Sequence, residues 1–384
     1  MNRVLVVGAS AAGLATAEAL RRHGFTGTIT LLGAEPHPPY DRPPLSKQVL
    51  AGEWEPARAA LRPPDVLGAL DTTIRLGDPA VALDVATRTV HTAAGRTHQG
   101  DAVVIATGAT ARRLPRQDGI AGVHVIRTLD DAVGLRADLV PGRRLVVVGD
   151  GVLGCEVAAT AAALGVGTTM VGPQAAPMEL QLGPYVADRL GRLHRDGGVD
   201  LKLGAAVTGL VTSDVRVRGV ELAGGDMLPA DVVVVAFGAA PATGWLRDSR
   251  LTLDDGVVCD ARCRAADGIW AAGDVARFHH ETYGRPVRLE NRTNATEQAA
   301  AVAANILGAD RPYTPVPHFW TDQFKTRIQV YGTPAPGMTV DIVDGDPASG
   351  RFVAAYRIAG RPAAVLGWNM PKQARQQRQK LLAP

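Results

Sequence analysis

Cysteine is scarce in this chain of 384 residues. Three cysteines cannot form a framework of disulfides. Cys259 and Cys263 stand four residues apart, with no further thiolate or histidine at the spacing of a zinc site. We therefore expect Cys155, Cys259 and Cys263 to be ordinary thiols, and we expect no metal site.

Long apolar runs and aromatic residues are also rare. No stretch approaches the roughly 20 consecutive apolar residues that span a bilayer, and no basic, apolar leader precedes the first strand-like run. Aromatic residues make up 4% of the chain, and no motif combines them with basic residues as nucleic-acid-binding modules do. The sequence thus predicts a cytoplasmic protein that binds neither membranes nor nucleic acids.

What the chain does contain is a repeated α/β pattern. Strand-like runs rich in Val, Ala and Ile alternate with helical segments as far as residue 310, which is typical of parallel sheets. Two copies of a strand–turn–helix–strand unit are predicted, the first over Val4–Val7, Ala11–His23 and Thr28–Leu32, and the second over Leu145–Val148, Cys155–Leu164 and Thr168–Val171.

The second copy is interpreted as an insertion into the first. The strands Ala102–Ile105 and Val232–Ala236 are each followed by a short segment that contains Gly. We expect the chain to cross between the nested domains at these two segments. Beyond residue 318, strand-like runs separated by turns predict a small antiparallel sheet and a basic helix. The expected fold class is α/β, with two nested Rossmann-like dinucleotide-binding domains (residues 1–110 with 241–318, and 111–240) and a small C-terminal α+β domain (319–384).

The first Gly-rich turn, Gly8–Gly13, follows a strand and opens a helix. Its first Gly permits the tight turn, its last permits close packing of helix on strand, and the helix N-terminus attracts a pyrophosphate. Ser10 stands at the middle position, where Gly is usual. Glu35 lies 22 residues after Gly13, where a carboxylate binds ribose hydroxyls. These features predict a dinucleotide site.

The second turn, Gly149–Gly154, has all three Gly residues. Glu156 follows in the first helical turn, where it either complements the helix dipole or contacts a nicotinamide carboxamide. Gly172 occupies the strand end where Asp or Glu would select NADH, and no Arg or Lys stands nearby to hold a 2′-phosphate. The choice between NADH and NADPH is therefore open, with Gln174 available for partial contacts.

Several longer motifs resemble those of the NAD(P)H-dependent ferredoxin reductases that serve oxygenases, the putidaredoxin reductase-like family within the FAD/NAD(P) pyridine-nucleotide oxidoreductases. Two of these motifs are the most specific for the family. They are the run Pro39–Lys47, which contains Arg-Pro-Pro-Leu-Ser-Lys, and Phe319–Gln323, which reads Phe-Trp-Thr-Asp-Gln. The others are the two turns, Glu35, Ala106–Gly108, Ala271–Ala276 and Arg288–Gln298. The similarity extends over essentially the whole chain.

The resemblance implies FAD in the first site, NADH or NADPH as electron donor in the second, and Lys47 and Glu156 as the catalytic pair. Gly8, Ala12 and Gly13 would hold the FAD pyrophosphate, Arg42 and Lys47 would lie along the cofactor, Asp274 would hold the ribityl chain, and Arg292 would stand where the family often has an aromatic residue. The full set of predicted cofactor-binding residues is Gly8, Ser10, Ala12, Gly13, Glu35, Arg42, Lys47, Val81, Ala106, Thr107, Gly108, Arg127, Gly149, Gly151, Leu153, Gly154, Glu156, Gly238, Gly273, Asp274, Arg292 and Trp320.

The resemblance also implies the route of the electrons. The segment Tyr40–Leu50, where thiol–disulfide members of the wider superfamily carry cysteine, has none, so we expect no internal disulfide relay. Lys47 and Glu156 are expected to form an ion pair beside the flavin. The expected acceptor is an acidic [2Fe–2S] ferredoxin that supplies a monooxygenase or Rieske oxygenase.

Charge supports that acceptor. From Phe319 onward the chain contains nine Lys or Arg and four Asp or Glu, which gives this segment a net charge of +5. Four of the basic residues lie near the end: Lys372, Arg375, Arg378 and Lys380. This segment is either a docking surface or a solubilising basic helix. Two alternatives stay open: a flavoprotein sensor or interaction protein like apoptosis-inducing factor, and a flavin-dependent redox enzyme of a biosynthetic pathway. A monomer and a homodimer are both compatible with the sequence.

Overall fold

A computed structural model describes residues 1–381 and, within them, all side chains except that of Lys380. These residues group into two units. The first unit contains Met1–Asp41, Ala59–Thr110 and Ala240–Pro315, and the second contains Arg42–Arg58, Ala111–Ala239 and the segment from Val316 onward.

The first unit is built on a sheet of six strands. Its order is Arg264–Ala266, Ile269–Ala271, Ala102–Ile105, Arg3–Val7, Thr28–Leu32 and Thr73–Arg75. All neighbours run parallel except the outermost pair at Arg264–Ala266. The central strands are buried, and their apolar side chains share one core with helices Ala11–Arg22 and Arg292–Ile306 and with the small sheets of the unit. The sheet thus takes strands from both sides of the second α/β repeat.

Shorter elements complete the first unit. Two small three-stranded sheets are formed by Ala80–Asp84, Thr89–Thr92 and Thr97–Gln99, and by Val257–Cys259, Ala276–His280 and Arg285–Arg288. A short helix covers Pro64–Ala69, with 3-10 turns at Gly244–Leu246 and Glu281–Tyr283. The sequence analysis did not predict these small sheets, because their strands are short and weakly alternating in hydropathy.

The second unit contains a parallel five-stranded sheet in the order Val199–Leu203, Gly167–Gly172, Arg144–Val148, Val232–Val235 and Val123–His124. Its helices are Gln48–Ala51, Leu129–Asp138, Val152–Ala163 and Glu179–Asp196, and 3-10 turns cover Pro43–Ser46 and Pro56–Ala59, the second reaching the unit boundary. A three-stranded sheet, Val207–Ser213, Arg216–Leu222 and Met227–Pro229, is also present, and Ala109–Ala111 pairs with Ala239–Pro241 where the chain passes between units.

The C-terminal part of the second unit is an antiparallel sheet followed by a helix. Its strand order is His318–Gln323, Thr326–Gly332, Arg361–Trp368, Arg351–Ile358 and Thr339–Asp346, with a 3-10 turn at Pro347–Ser349, helix Pro371–Arg378 and a last 3-10 turn at Gln379–Leu381. The predicted small sheet and basic helix are confirmed. The sequence analysis missed the strand His318–Gln323, which holds the Phe-Trp-Thr-Asp-Gln motif.

The predicted fold class is confirmed, and the predicted ends of the main strands and helices lie close to the observed ones. One helix differs more: it begins at Val152, not at Cys155, because the second Gly-rich turn leads straight into it. Within the described residues, no helix combines the length and apolar character needed to cross a bilayer. The four-part division of the chain stays a prediction.

Candidate active site

The first Gly-rich turn has the geometry that a dinucleotide pyrophosphate requires. Gly8 has φ +122°, and a Cβ there would lie 2.1 Å from the carbonyl oxygen of Ala106. A Cβ on Gly13 would lie 1.8 Å from the oxygen of Gly8. Ser10 is the helix N-cap, but its side chain does not cap the helix, and the first turn carries no acidic residue. The first-turn N–H groups thus suit an anionic ligand, so this turn fits FAD.

Glu35, which the sequence analysis assigns to the ribose of the cofactor, lies in the loop after strand Thr28–Leu32. The Tyr40 hydroxyl donates to Glu35 Oε2, and the Gly77 amide donates to the Glu35 carbonyl at 3.0 Å. These contacts fix the loop that follows the second strand. Val81 lies in the strand Ala80–Asp84 and is 49% exposed.

The exit of strand Ala102–Ile105 contains three predicted residues, Ala106, Thr107 and Gly108. The Thr107 hydroxyl donates to the carbonyl of Ala242 at 2.9 Å, and Gly108 accepts from the Ala242 amide at 2.9 Å. Ala106 is the residue whose carbonyl approaches Gly8. The two crossing segments are therefore joined by hydrogen bonds beside the first turn.

Gly273 and Asp274 lie at the end of strand Ile269–Ala271. Gly273 has φ +79°, and a Cβ there would lie 3.1 Å from the Cβ of Ala12, so this loop meets the first Gly-rich turn. The Gly273 amide donates to Gln298 Oε1 at 2.9 Å, and the Asp274 carbonyl accepts from Arg288 at 3.2 Å. The structure thus brings together the residues predicted for the pyrophosphate and for the ribityl chain.

Arg292 begins helix Arg292–Ile306 and has a partner within its own unit. Its Nε donates to Asp41 Oδ1 at 2.5 Å, and its Nη1 donates to the hydroxyl of Thr296. The charge of Arg292 is therefore matched by a carboxylate. This ion pair was not predicted, because 251 residues separate its members in the sequence.

The second Gly-rich turn repeats the geometry of the first. Gly149 has φ +128°, and a Cβ there would lie 2.4 Å from the carbonyl oxygen of Ala236. A Cβ on Gly154 would lie 2.0 Å from the oxygen of Gly149, whereas a Cβ on Gly151 would meet nothing within 4 Å. The open space at Gly151 leaves the backbone accessible to a phosphate. Leu153 is half-buried in the first turn of the helix.

Lys47 and Glu156 form the ion pair expected from the sequence. Lys47 Nζ lies 2.7 Å from Glu156 Oε2, and the two side chains are 11% and 7% exposed. Ser46 Oγ donates to the same oxygen at 2.5 Å, and Thr321 Oγ1 donates to Oε1 at 2.8 Å. Both oxygens of Glu156 are hydrogen-bonded, which offsets the cost of burying the charged pair.

The network continues behind Thr321. Gln323 Nε2 donates to Thr321 Oγ1 at 3.1 Å, and Gln323 Oε1 lies 2.8 Å from Nε2 of the fully buried His194. Burial lowers the pKa of His194, so the imidazole is neutral near pH 7. The sequence analysis assigned no role to Ser46, Thr321, Gln323 or His194, although the first three lie in the two motifs that carried the resemblance.

The remaining predicted residues of the second unit lie on three segments. An Nη1 of Arg42 donates to the carbonyl of Arg127, whose amide donates to Asp131 Oδ2 at 3.0 Å. Gly238, with φ +108°, accepts from the Arg112 amide at 3.0 Å. Trp320 lies in strand His318–Gln323.

The cysteines are all buried thiols. Burial, followed by the charges of Asp150 and Glu156, raises the pKa of Cys155 well above its ordinary value. Burial likewise raises the pKa of Cys259 and raises that of Cys263 to about 12. All three are therefore protonated and unreactive near neutral pH. Among residues 1–381, no group of three or more His, Cys, Asp and Glu side chains is placed to hold a metal ion.

Comparisons with known proteins agree with this geometry. Residues 2–299 match the family model for pyridine nucleotide-disulphide oxidoreductases, and residues 318–383 match the reductase C-terminal model. A probable ferredoxin reductase of Castellaniella defragrans is 37% identical, over 95% of this chain and 90% of that protein. Putidaredoxin reductase of Pseudomonas putida is 34% identical, over 98% and 91% of the two chains.

A solved structure is similarly close. The chain superposes with a TM-score of 0.93 on a chain of the covalent putidaredoxin reductase–putidaredoxin complex, at 34% identity and with 99% and 93% of the two chains covered. The predicted family is thus confirmed, as is the expectation of FAD with NADH or NADPH. This chain belongs to the pyridine nucleotide-disulphide oxidoreductases and, within them, to the NAD(P)H-dependent ferredoxin reductases of oxygenase systems.

Proposed function

We propose that this chain is an FAD-dependent reductase that oxidises NADH or NADPH and delivers the electrons to a [2Fe–2S] ferredoxin, which supplies a monooxygenase or Rieske oxygenase. The observation that carries the proposal is the buried Lys47–Glu156 pair at the start of the helix that follows the second Gly-rich turn. FAD, when bound, takes a hydride from a reduced nicotinamide and releases the electrons singly to a one-electron acceptor.

The protein's own residues hold and align the reactants. We assign the pyrophosphate of FAD to Gly8 and Gly13, its ribose to Glu35 and its ribityl chain to Asp274. Lys47 and Glu156 orient the reacting rings, because hydride transfer depends on alignment more than on proton transfer. Ser46 and Thr321 fix the carboxylate of Glu156 and so serve as positioning residues.

Electron delivery requires a surface for the ferredoxin, and we assign it to the basic helix, Pro371–Arg378. Lys372 and Arg375 are exposed, and the Arg378 guanidinium stands 5.5 Å from the centre of the Tyr331 ring. Burial and the positive charges of Arg378 and Arg375 lower the pKa of His318 to about 4. Burial is the larger cause of this shift, and the two arginines add a positive field of the kind that attracts an acidic partner. The side chain of Lys380 lies outside the described residues.

We also propose that the protein is located in the cytoplasm.

The test is electron transfer by the purified holoprotein. We expect a yellow protein whose flavin absorbance bleaches within seconds of adding NADH or NADPH, and cytochrome c reduction that depends on an added acidic [2Fe–2S] ferredoxin. The variant K372E/R375E should raise the KM for ferredoxin by about tenfold at low salt and by less at high salt, because salt screens surface charges.

Flavin reduction should be unchanged in that variant. The matched control is R192E/K202E, which makes the same charge change elsewhere in the second unit, where both residues already pair with carboxylates. A flavin that stays oxidised for minutes with both nucleotides would contradict the proposal and favour the sensor or the biosynthetic enzyme. An equal loss in both double variants would contradict the assignment of the docking surface.

A further inference from the structure

The strand end that lacks an acidic residue in the sequence has a carboxylate in the structure. Gly172 is the last residue of strand Gly167–Gly172. A Cβ on Gly172 would lie 2.1 Å from Cγ and 2.2 Å from Oδ2 of Asp150, the second residue of the Gly-rich turn. The carboxylate of Asp150 therefore occupies the space that a side chain at position 172 would enter.

This position is the one where a nucleotide-binding fold reads the adenosine ribose. A Cβ–Cγ bond is about 1.5 Å long, so the carboxyl carbon of an Asp at position 172 would lie within roughly 3.6 Å of that of Asp150. The acid that selects NADH in other chains comes from the strand. Here the adjoining turn supplies a carboxylate to nearly the same place.

Asp150 is held rigidly there. Its Oδ2 accepts from the amide of Gln174 at 2.8 Å, and its Oδ1 accepts from Gln174 Nε2 at 2.6 Å. Gln174 Oε1 in turn accepts from the amide of Leu180 at 2.7 Å, and the Asp150 carbonyl accepts from the Met178 amide at 2.8 Å. Each carboxylate oxygen retains acceptor capacity for a ribose hydroxyl. The side chain of Gln174 is thereby committed to Asp150 and Leu180.

The charge of Asp150 is not neutralised. Asp150 is 4% exposed and, within the part of the chain that the structure describes, forms no ion pair with Lys or Arg. No Lys, Arg or His occurs between Gly165 and Glu179. A second carboxylate, Glu179, accepts from the amide of Ala175 in the same loop at 3.2 Å. A 2′-phosphate placed here would meet the carboxylate of Asp150, and residues 165–179 supply no cation to offset the repulsion between the two negative charges.

We propose that Asp150 is the residue that selects the nicotinamide nucleotide in this reductase: its carboxylate accepts hydrogen bonds from the adenosine ribose of NADH and excludes the 2′-phosphate of NADPH. The inference rests on the proposed function, since it concerns the nucleotide site of that enzyme. It specifies the substrate as NADH and places the selecting acid on the Gly-rich turn.

The test measures binding directly, by titrating the oxidised holoprotein with NAD⁺ and NADP⁺ in a calorimeter. We expect NAD⁺ to bind at least about tenfold more tightly than NADP⁺, and Asp150→Asn to reduce this ratio by about tenfold, because it removes the charge and keeps the shape. Asp188→Asn, which removes a charge from an exposed helical pair in the same unit, should leave the ratio unchanged.

A second variant tests the same role independently, in case Asp150→Asn does not fold. The double substitution D150G/G172D moves the carboxylate from the turn to the strand end and should retain the preference for NAD⁺. If both nucleotides bind and Asp150→Asn leaves their ratio unchanged, the role of Asp150 is wrong while the proposed function stands. If neither nucleotide binds to the flavin-loaded protein, the proposed function itself fails.

Discussion

The two Gly-rich turns of this chain are nearly identical in backbone and different in chemistry. Gly8 and Gly149 have φ +122° and +128°, and each would place a Cβ against the carbonyl of a neighbouring strand exit. The residues between the glycines differ: Ala9 and Ser10 in the first turn correspond to Asp150 and Gly151 in the second. The shared backbone geometry therefore suits a dinucleotide pyrophosphate at both turns, and the two turns differ only in the side chains between their glycines.

The strand ends beside the two turns, at Gly33 and Gly172, also share their backbone arrangement and differ in the side chains near them. A Cβ on Gly33 would lie 2.8 Å from the Cβ of Ala9, as one on Gly172 would meet Asp150. In the first site the turn contributes only a methyl group, and the predicted ribose acid is Glu35 in the following loop. In the second site the turn itself contributes the acid. In both sites the second residue of the turn fills the space beside the strand-end glycine, with a methyl group in the first site and a carboxylate in the second.

The helices differ as well. Ala15 stands at the position of the first helix that corresponds to Glu156 in the second, two residues after the last Gly of each turn. Ala15 is buried among apolar residues, whereas Glu156 pairs with Lys47. At this position the first helix packs into the apolar core, whereas the second carries the carboxylate to which the proposed function assigns alignment of the nicotinamide.

The largest expected effects come from adding a methyl group to the first Gly of each turn. Gly8→Ala forces a Cβ to within 2.1 Å of a backbone oxygen and should abolish retention of FAD, often with misfolding of the first unit. Gly149→Ala should leave the protein yellow but slow flavin reduction by NADH by about a hundredfold or more. The ratio of flavin to protein absorbance and stopped-flow reduction measure the two effects. A colourless Gly149→Ala protein would contradict the separation of the two sites.

A smaller effect is expected when the second helix is made to resemble the first. Glu156→Ala removes the partner of Lys47, Ser46 and Thr321, and should slow flavin reduction by about ten- to hundredfold while FAD content stays normal. Single-turnover reduction at saturating NADH measures the rate. The control is Glu221→Ala, an exposed carboxylate of the same unit. An unchanged rate would make the Lys47–Glu156 pair a structural salt bridge only.

The smallest effect is expected from exchanging the middle residues of the turns. A Cβ at position 151 meets no protein atom within 4 Å, so Gly151→Ser should fold normally and weaken nucleotide binding by about three- to tenfold, through crowding of the phosphate alone. Ser10→Gly should change FAD affinity by less than about threefold, because the Ser10 side chain does not cap its helix. Thermal unfolding and nucleotide titration test both. A destabilised Gly151→Ser protein would show that the turn has less free space than the structure indicates.

The elements that sequence reasoning predicted well are those specified by local pattern. The strands Thr28–Leu32 and Ala102–Ile105 were predicted to the residue, because a short apolar run bounded by turn residues is readable from neighbours alone. The strand His318–Gln323 was missed, because its polar residues Thr321 and Gln323 are buried by the network around Glu156 and not by an apolar face. Burial of that kind has no local signature.

The sequence alone determined the two dinucleotide turns, the α/β class and the family, because glycine spacing and strand–helix alternation depend on residues a few positions apart. Only the tertiary structure decided how the charged groups are paired. Ser46 and Thr321 reach Glu156 across 110 and 165 residues of sequence, and Asp150 fills the space beside Gly172. Such contacts depend on where the folded chain places distant side chains, and at short range electrostatic energies change steeply with ångström-scale distances.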